Sequence, residues 1–377
     1  MNYLHLILVA AALTHPANAR LGPNAGHRAV RKDLATWTIG PFVRIDSVNP
    51  IITPRTASTF ECPMRKTAVA WEHDNTFNPA AVERNGRLYV LYRAEDNSGQ
   101  GIGGHTSRIG LAETRDGLRY TRLLQPVLYP AEDNQKQYDW PGGCEDPRIV
   151  ETPGGYVLTY TAWNRKTPRL CVATSKDLVH WRKRGPAFAK AKGGKFLELA
   201  TKSGAIVTQK QGDHFRAVKL HGQYWMYWGD GPVCLASSNN LIDWDPIAGA
   251  DGKPLPILSA RPGKFDSALP EAGPPAVLTP EGIVLIYNGK NAEEHGDPDI
   301  SPGAYSAGQA LFSSEEPTKV LQRLDKPFFK PERAFEVTGQ YRSGTVFVEG
   351  LASFHKHLWL FYGAADSKVA VATYPKF

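Results

Sequence analysis

Glu145-Asp146-Pro147-Arg148-Ile149, a turn at Gly154-Gly155, the run Tyr156 to Tyr160, then Cys171-Val172-Ala173-Thr174-Ser175-Lys176-Asp177-Leu178 and Trp181 form the clearest copy of a recurring unit. Its order is a polar or acidic cluster, an apolar strand, a glycine turn, an aromatic strand and a third strand ending on polar residues. Short apolar runs bounded by turn residues read as strands. Upstream, Asn78-Pro79-Ala80-Ala81-Val82, a turn at Asn85-Gly86, Leu88 to Arg93, Ile109 to Thr114 and Asp116 to Tyr120 repeat that order. Downstream come Ser203 to Val207, a turn at His221-Gly222, Tyr224 to Trp228, Cys234 to Ser238, Leu241 and Trp244. A fourth copy runs from Glu271 to Val277, turns at Glu281-Gly282 and continues from Val284 to Tyr287; a shorter fifth fits Val348 to Ala352, Leu358 to Tyr362 and Val369 to Thr373.

A period of roughly 60 to 75 residues suits blades of four strands with generous loops and predicts an all-β, five-bladed β-propeller. A pair of stacked β-sandwiches would show the same alternation. The propeller is favoured because radial repetition brings the polar openings of all units to one end of a central channel. The last unit is also one strand short, and Trp37 to Ile45 is placed to complete it. Helix signals are weak throughout.

The 377 residues are 42% apolar and 21% charged, which excludes disordered and fibrous classes. The net charge of +7 comes from scattered Lys and Arg, so no nucleic-acid partner is expected. Residues 1–19 lack Lys, Arg, Asp and Glu, carry the apolar run Leu4 to Leu13 and end in Ala17-Asn18-Ala19. That pattern reads as a secretory signal peptide, with residues 20–377 as one catalytic domain and a periplasmic or secreted address. No later run approaches the roughly 18 apolar residues of a membrane span. Cys62, Cys144, Cys171 and Cys234 contain no C-x-x-C pair. An oxidising compartment permits disulfides, yet the apolar settings of Cys171 and Cys234 fit buried thiols as well.

Glu145, Asp146, Glu271 and Glu349 open units, and Asp96, Asp230 and Asp366 follow aromatic strands. Converging carboxylates suit glycoside cleavage, which needs one acid for the leaving oxygen and a second carboxylate for water or for direct attack. Asp146 stands out because Arg148 could keep it ionised and Pro147 stiffens its approach. Trp71, Trp140 and Trp163 lie in turn-rich stretches and are candidates for a sugar cleft, whereas Trp225, Trp228 and Trp359 sit in strand patterns and read as core. The run Gly99 to Gly104 lacks the strand-turn-helix context of a nucleotide loop. His355 and His357 lack a third nearby ligand, so no metal or other cofactor is expected.

Gly143-Cys144-Glu145-Asp146-Pro147-Arg148-Ile149 resembles the signature of glycoside hydrolase family 130, the mannoside phosphorylases and β-mannosidases. Phe77-Asn78-Pro79-Ala80, Tyr92-Arg93-Ala94, Tyr287-Asn288-Gly289 and Tyr362 to Ser367 resemble further family segments in the expected order. The resemblance implies a five-bladed propeller and a β-mannoside oligosaccharide substrate. It places the catalytic proton donor, acting through the mannose 3-hydroxyl, on Asp146. Sugar contacts fall on Asn78, Arg93, Asp96, Arg148 and Asp366, with Lys202 and Glu349 in matching segments.

Phosphorolysis needs a cationic clamp on phosphate. Tyr227-Trp228 stands where the phosphorylases carry a His-Arg pair, and Tyr287-Asn288-Gly289 where they carry Tyr-His-Gly. The segments around Thr201-Lys202-Ser203, Pro270-Glu271-Ala272 and Phe347-Val348-Glu349 are similar to the hydrolytic branch of exported β-1,2-mannosidases. That branch activates water with two glutamates. One maps to Glu271, and the other to Asp230, which carries a shorter side chain. The resemblance thus implies an inverting β-mannosidase. The alternatives are a phosphorylase clamping phosphate with Lys202, Lys290 or Arg342, and a glycan-binding propeller without turnover.

Overall fold

The computed structural model describes residues 35–375, so the proposed signal peptide, residues 1–19, lies outside the described residues. The described chain is nearly all strand, with one four-residue helical turn at Lys136–Asp139 and two short 3-10 turns. The expectation of an all-β fold with weak helix signals holds.

Five antiparallel meanders follow one another. The first is Asn75–Arg84, Arg87–Glu95, Ser107–Thr114 and Thr121–Arg122. The second is Gly143–Thr152, Gly155–Trp163, Pro168–Ser175 and Trp181–Pro186. The third is Gly204–Ile206, Gln223–Trp228, Cys234–Ser238 and Asp245–Pro246. In the fourth, Leu269–Ala272 and Val277–Thr279 both pair with Gly282–Lys290, followed by Tyr305–Phe312 and Val320–Arg323. The fifth is Val346–Phe354, His357–Ala364 and Lys368–Pro375, and its fourth strand is Val43–Arg44, with Val43 opposite Thr373. The N-terminal segment therefore completes the last unit, as its missing strand required.

Local chemistry explains the turns. Asp116 Oδ1 accepts the backbone N–H groups of Leu118 and Arg119, Asp177 Oδ1 those of Val179 and His180, and Asn240 Oδ1 those of Ile242 and Asp243. Each side chain imitates a backbone turn before the fourth strand.

Sequence reading missed two hairpins. Arg55–Cys62 pairs with Thr67–Glu72 outside the first meander. Thr208–Gln211 pairs with His214–Ala217 and runs parallel to Val277–Thr279, with Arg216 opposite Glu151. His214 Nδ1 lies 2.7 Å from Glu151 and 3.2 Å from Glu83, and Ser353 donates to Asp213. This second hairpin thus touches the first strands of the first, second, fourth and fifth meanders.

The core forms clusters between neighbouring sheets, such as Leu91, Ile109, Ile149, Leu158 and Tyr160 between the first and second. Trp228 and Trp359 are buried and Trp225 packs at the edge of a cluster, as read from their strand patterns. Trp71 departs from expectation. It is fully buried, stacks on Tyr92 at 6.3 Å and donates Nε1 to Leu124 O, so it is core and no part of a sugar cleft. All four cysteines are buried and free.

In four meanders a fully buried carboxylate ahead of the first strand takes a cation from the fourth strand. Glu72 pairs with Arg122 at 3.1 Å, Asp139 with Lys183 at 2.5 Å, Asp266 with Arg323 at 2.6 Å and Glu336 with Arg44 at 2.6 Å. Tyr92, Tyr287 and Tyr362, each on a second strand, donate their hydroxyls to Glu72, Asp266 and Glu336. Removing one partner strands a buried charge, which costs about 3–5 kcal/mol, whereas an exposed pair contributes under about 1 kcal/mol. Arg44→Ala is therefore expected to lower unfolding free energy in urea by about 3 kcal/mol. Arg333→Ala, which breaks the exposed pair with Asp46, is expected to cost less than about 1 kcal/mol.

Candidate active site

The site is built by irregularities at one position of the first strands. Phe77 pairs with Arg93 and Pro79 with Tyr92, so Asn78 is an extra residue. Glu145 pairs with Thr161 and Arg148 with Thr159, leaving Asp146 and Pro147 against Tyr160 alone. Val348 pairs with Tyr362 and Gly350 with Phe361, so Glu349 is extra. A bulge breaks the ladder and turns its side chain out of the alternation. Asn78 and Asp146 take φ of 47° and 49°, a left-handed conformation that Asn and Asp tolerate better than other non-glycine residues.

Asp146 is buried. Its Oδ1 accepts from Asn78 Nδ2 at 2.9 Å and Arg93 Nη1 at 3.1 Å, and Lys202 Nζ lies 3.7 Å from Oδ2. Burial would raise its pKa, but Arg93, Lys202 and Arg148 with the Asn78 hydrogen bond outweigh it and hold the carboxyl well below the usual range. Lys202 also meets Glu271 Oε1 at 3.1 Å, and Ser203 Oγ donates to the same oxygen at 2.5 Å. The Asp230 backbone bridges that of Glu271, and its side chain is exposed. Partial desolvation pushes Asp230 up to about 6, with Lys202 opposing and Glu271 adding to the rise.

Arg148 ties the second meander to the fourth and fifth. It donates to the backbone oxygens of Asp146, Ala272 and Gly273, and its Nη2 lies 3.0 Å from Glu349. Glu349 is fully buried, and burial pushes its carboxyl well up despite Arg148. Asp366, at φ 50°, is pushed up to about 7 by burial, with Arg93 and Lys202 opposing and Asp146 and Glu95 contributing.

Asn78, Arg93, Asp146, Arg148, Lys202, Asp230, Glu271, Glu349 and Asp366 thus gather in one cluster. Asp96 does not join it. It is fully buried, Arg108 donates to its Oδ2 at 2.8 Å, and the Ser98 and Thr106 N–H groups point at Oδ1, so it anchors the loop before Ser107. The neighbouring Glu95 faces the cluster instead, accepting from Arg93 at 2.6 Å, Asn75 at 3.0 Å and Gln340 at 3.2 Å. Trp163 is half-buried and donates Nε1 to Gly103 O, and Trp140 is half-buried just ahead of Gly143–Thr152.

Sequence reading also missed Tyr305. Glu271, Lys202 and Asp366 all act on its hydroxyl, and its ring meets Tyr341 at 5.6 Å and Phe347 at 5.5 Å edge to face. Glu145, read from the sequence only as one of the acids that open units, accepts from Arg93 at 2.9 Å. Among the described residues no group of three or more His, Cys, Asp or Glu side chains is arranged to hold a metal ion, and no helix is long and apolar enough to cross a membrane.

The sequence profile of glycoside hydrolase family 130, described as β-1,4-mannooligosaccharide phosphorylase, matches residues 44–376. The chain belongs to this family. A family 130 relative from Thermoanaerobacter sp. (strain X514), 1,2-β-oligomannan phosphorylase, is 31% identical over 82% of this chain and 93% of its own. Among solved structures, a glycosyl hydrolase from Bacteroides ovatus is 52% identical with a TM-score of 0.89, covering 90% of this chain and 95% of that one. Another, 50% identical with a TM-score of 0.89 and the same two coverages, is described by the finding that the GH130 family of mannoside phosphorylases contains glycoside hydrolases that target β-1,2 mannosidic linkages in Candida mannan.

In this family 130 site, Glu145 is pushed up to about 7, first by burial, with Arg93 opposing and Asp146 adding to the rise. A carboxyl whose pKa rises on folding stabilises the fold below its unfolded value, and that contribution is lost as pH climbs through the folded value. Glu145→Gln, which cannot ionise, should therefore gain stability relative to the parent between pH 5 and pH 8, by about 1–3 kcal/mol in urea unfolding. A pH-independent difference would contradict the shift.

Proposed function

We propose that this chain is an exported, inverting β-mannosidase that releases mannose from β-1,2-linked mannosides by direct attack of water. The observation that carries hydrolysis over phosphorolysis is the setting of Lys202, the cation that lies between the two reacting carboxylates Asp146 and Glu271. It is ion-paired to Glu271 and close to Asp146, and a phosphate dianion approaching it would meet Glu271 and Asp230 as well. Carboxylates at that place suit a water whose proton must be removed. The β-1,2 linkage is supported by the relative of 50% identity and by the named activity of the curated one.

In this reading Asp146 gives a proton to the mannose 3-hydroxyl, which passes its own to the glycosidic oxygen as the C1–O bond breaks. Water attacks C1 from the opposite face and loses its proton to Glu271, with Asp230 holding the water in line. Ser203 and Lys202 both occupy Glu271 Oε1, which leaves Oε2 to take that proton. Asn78, Arg148, Glu349 and Asp366 line the sugar side, while Arg93 spends its donors on carboxylates and orients Asp146. The five meanders are read as the five blades of a propeller around this cluster. Residues 20–377 are read as one domain, exported through the segment 1–19 to the periplasm or the exterior.

The phosphorylase reading keeps one specific support: Lys290 and Arg342 have no ion-pair partner among the described residues. Incubating the mature protein with β-1,2-mannobiose, with and without inorganic phosphate, separates the two. Equal release of free mannose is expected in both arms, and phosphate-dependent mannose 1-phosphate would reverse the assignment. Asp146→Asn and Glu271→Gln should each lower kcat by about 10³-fold or more. The kcat/KM profile should fall below about pH 6, where Asp230 takes up a proton, and above about pH 7, where the acid side of the site loses one.

A further inference from the structure

Arg93 serves three carboxylates at once. Its Nη2 donates to Glu95 at 2.6 Å and to Glu145 at 2.9 Å, its Nη1 to Asp146 at 3.1 Å, and its Nε to Ser107 Oγ at 3.0 Å. One guanidinium cannot hold three ionised carboxylates in a site this buried, so the trio keeps a proton. Donor supply decides where. Glu95 has two further donors, Asn75 and Gln340, and Asp146 has Asn78 with Lys202 close by. Glu145 has only Arg93 and the Ser107 hydroxyl at 3.3 Å, both on Oε1, and Oε2 has no partner among the described residues.

We infer that Glu145 is the proton store of the catalytic acid: it holds on Oε2 the proton that Asp146 needs and yields it once a sugar hydroxyl replaces Arg93 at Asp146 Oδ1. The inference rests on the reading of Asp146 as the acid. It resolves a conflict in that reading, because Asp146 is held as a carboxylate by Arg93, Lys202 and Arg148 while Glu145 is pushed up to about 7. The charged groups acting on Glu145 are Arg93, Asp146, Glu95 and Lys202. The proton leaves Glu145 Oε2 and reaches the Asp146 carboxylate through a solvent molecule. The Asp146 proton goes to the 3-hydroxyl, and that of the 3-hydroxyl to the departing oxygen. Water supplies OH to C1 and its remaining proton to Glu271. At the end Glu145 is ionised and Glu271 protonated, and exchange with solvent resets both. Glu145 is a positioning residue in this scheme, since it acts through Asp146.

The test compares the parent, Glu145→Gln, Glu145→Asp and Asp146→Asn on β-1,2-mannobiose and on 2,4-dinitrophenyl β-mannoside, whose leaving group needs no proton. Glu145→Gln retains an acceptor for Arg93, so a role confined to structure leaves both substrates and the pH profile unchanged or lowers both equally. Proton storage predicts at least a 100-fold loss of kcat/KM on mannobiose and less than a tenfold loss on the dinitrophenyl substrate. It also predicts that the alkaline limb near pH 7 disappears from the residual activity. Glu145→Asp, which keeps a carboxyl, should retain that limb. An unchanged limb in Glu145→Gln would assign it to Asp366 and overturn the inference. Should Glu145→Gln fail to fold, loss of the limb in Glu145→Asp, or equal losses on both substrates, would overturn it. Asp146→Asn separates the two levels: full activity there removes the acid itself, whereas its loss beside an unaffected Glu145→Gln removes only the proton store.

Discussion

A single extra residue in the first strand of a meander is the constraint on which the site depends. Regular alternation would send Asn78, Asp146 and Glu349 into the packing between sheets, where Leu91, Ile149 and Leu351 already lie. The bulge takes each out of register, and the left-handed backbone at Asn78 and Asp146 holds it there. Such conformations cost of order 1–3 kcal/mol each and persist where the surroundings determine them. Here the surroundings are the ladders on either side of each bulge and the Arg148 guanidinium, which clasps three backbone oxygens from two meanders.

Once the side chains converge, electrostatics become the governing problem. Asp146, Glu145, Glu95, Glu271, Glu349, Asp366 and Asp230 share the cations Arg93, Lys202 and Arg148. The shortage is resolved unequally. Asp146, rich in donors, stays ionised, whereas the fully buried Glu349 and the largely desolvated, half-buried Glu145 and Asp366, poorer in donors, are pushed toward their neutral forms. One cluster therefore holds carboxyls of opposite proton affinity side by side, which is the arrangement acid and base chemistry at neutral pH requires.

Much of this was legible in the sequence because the repeat writes itself in turns and aromatic strands. The meanders and the completing strand near Val43 emerge where the pattern puts them, and nine of the ten residues named from the unit openings and the family resemblance gather in one cluster. Asp96 misled because it is adjacent in sequence to Glu95, and alternation sends one of the pair to the site and the other to Arg108. Trp71 misled because its turn-rich neighbourhood belongs to a hairpin that covers the first meander and buries the ring. Tyr305 carried no local mark, since its proximity to Glu271 follows from strand pairing within the fourth meander. The paired acids Glu72, Asp139, Asp266 and Glu336 recur in four of the five units but at irregular distances from the first strand, so no fixed spacing reveals them.

The pairing of Val43 with Thr373 joins nearly opposite ends of the described chain, and Arg44 reaches Glu336 across the same seam. Contacts of such long sequence separation form late, because the loop they close must be ordered first. Until the final strand is available, the fifth meander lacks its outer edge and Glu336 its cation. Losing either Val43–Arg44 or Lys368–Pro375 removes a partner from the same pairing, so these two distant segments act as a single point of vulnerability, and completion of the fifth meander waits for synthesis to pass Thr373.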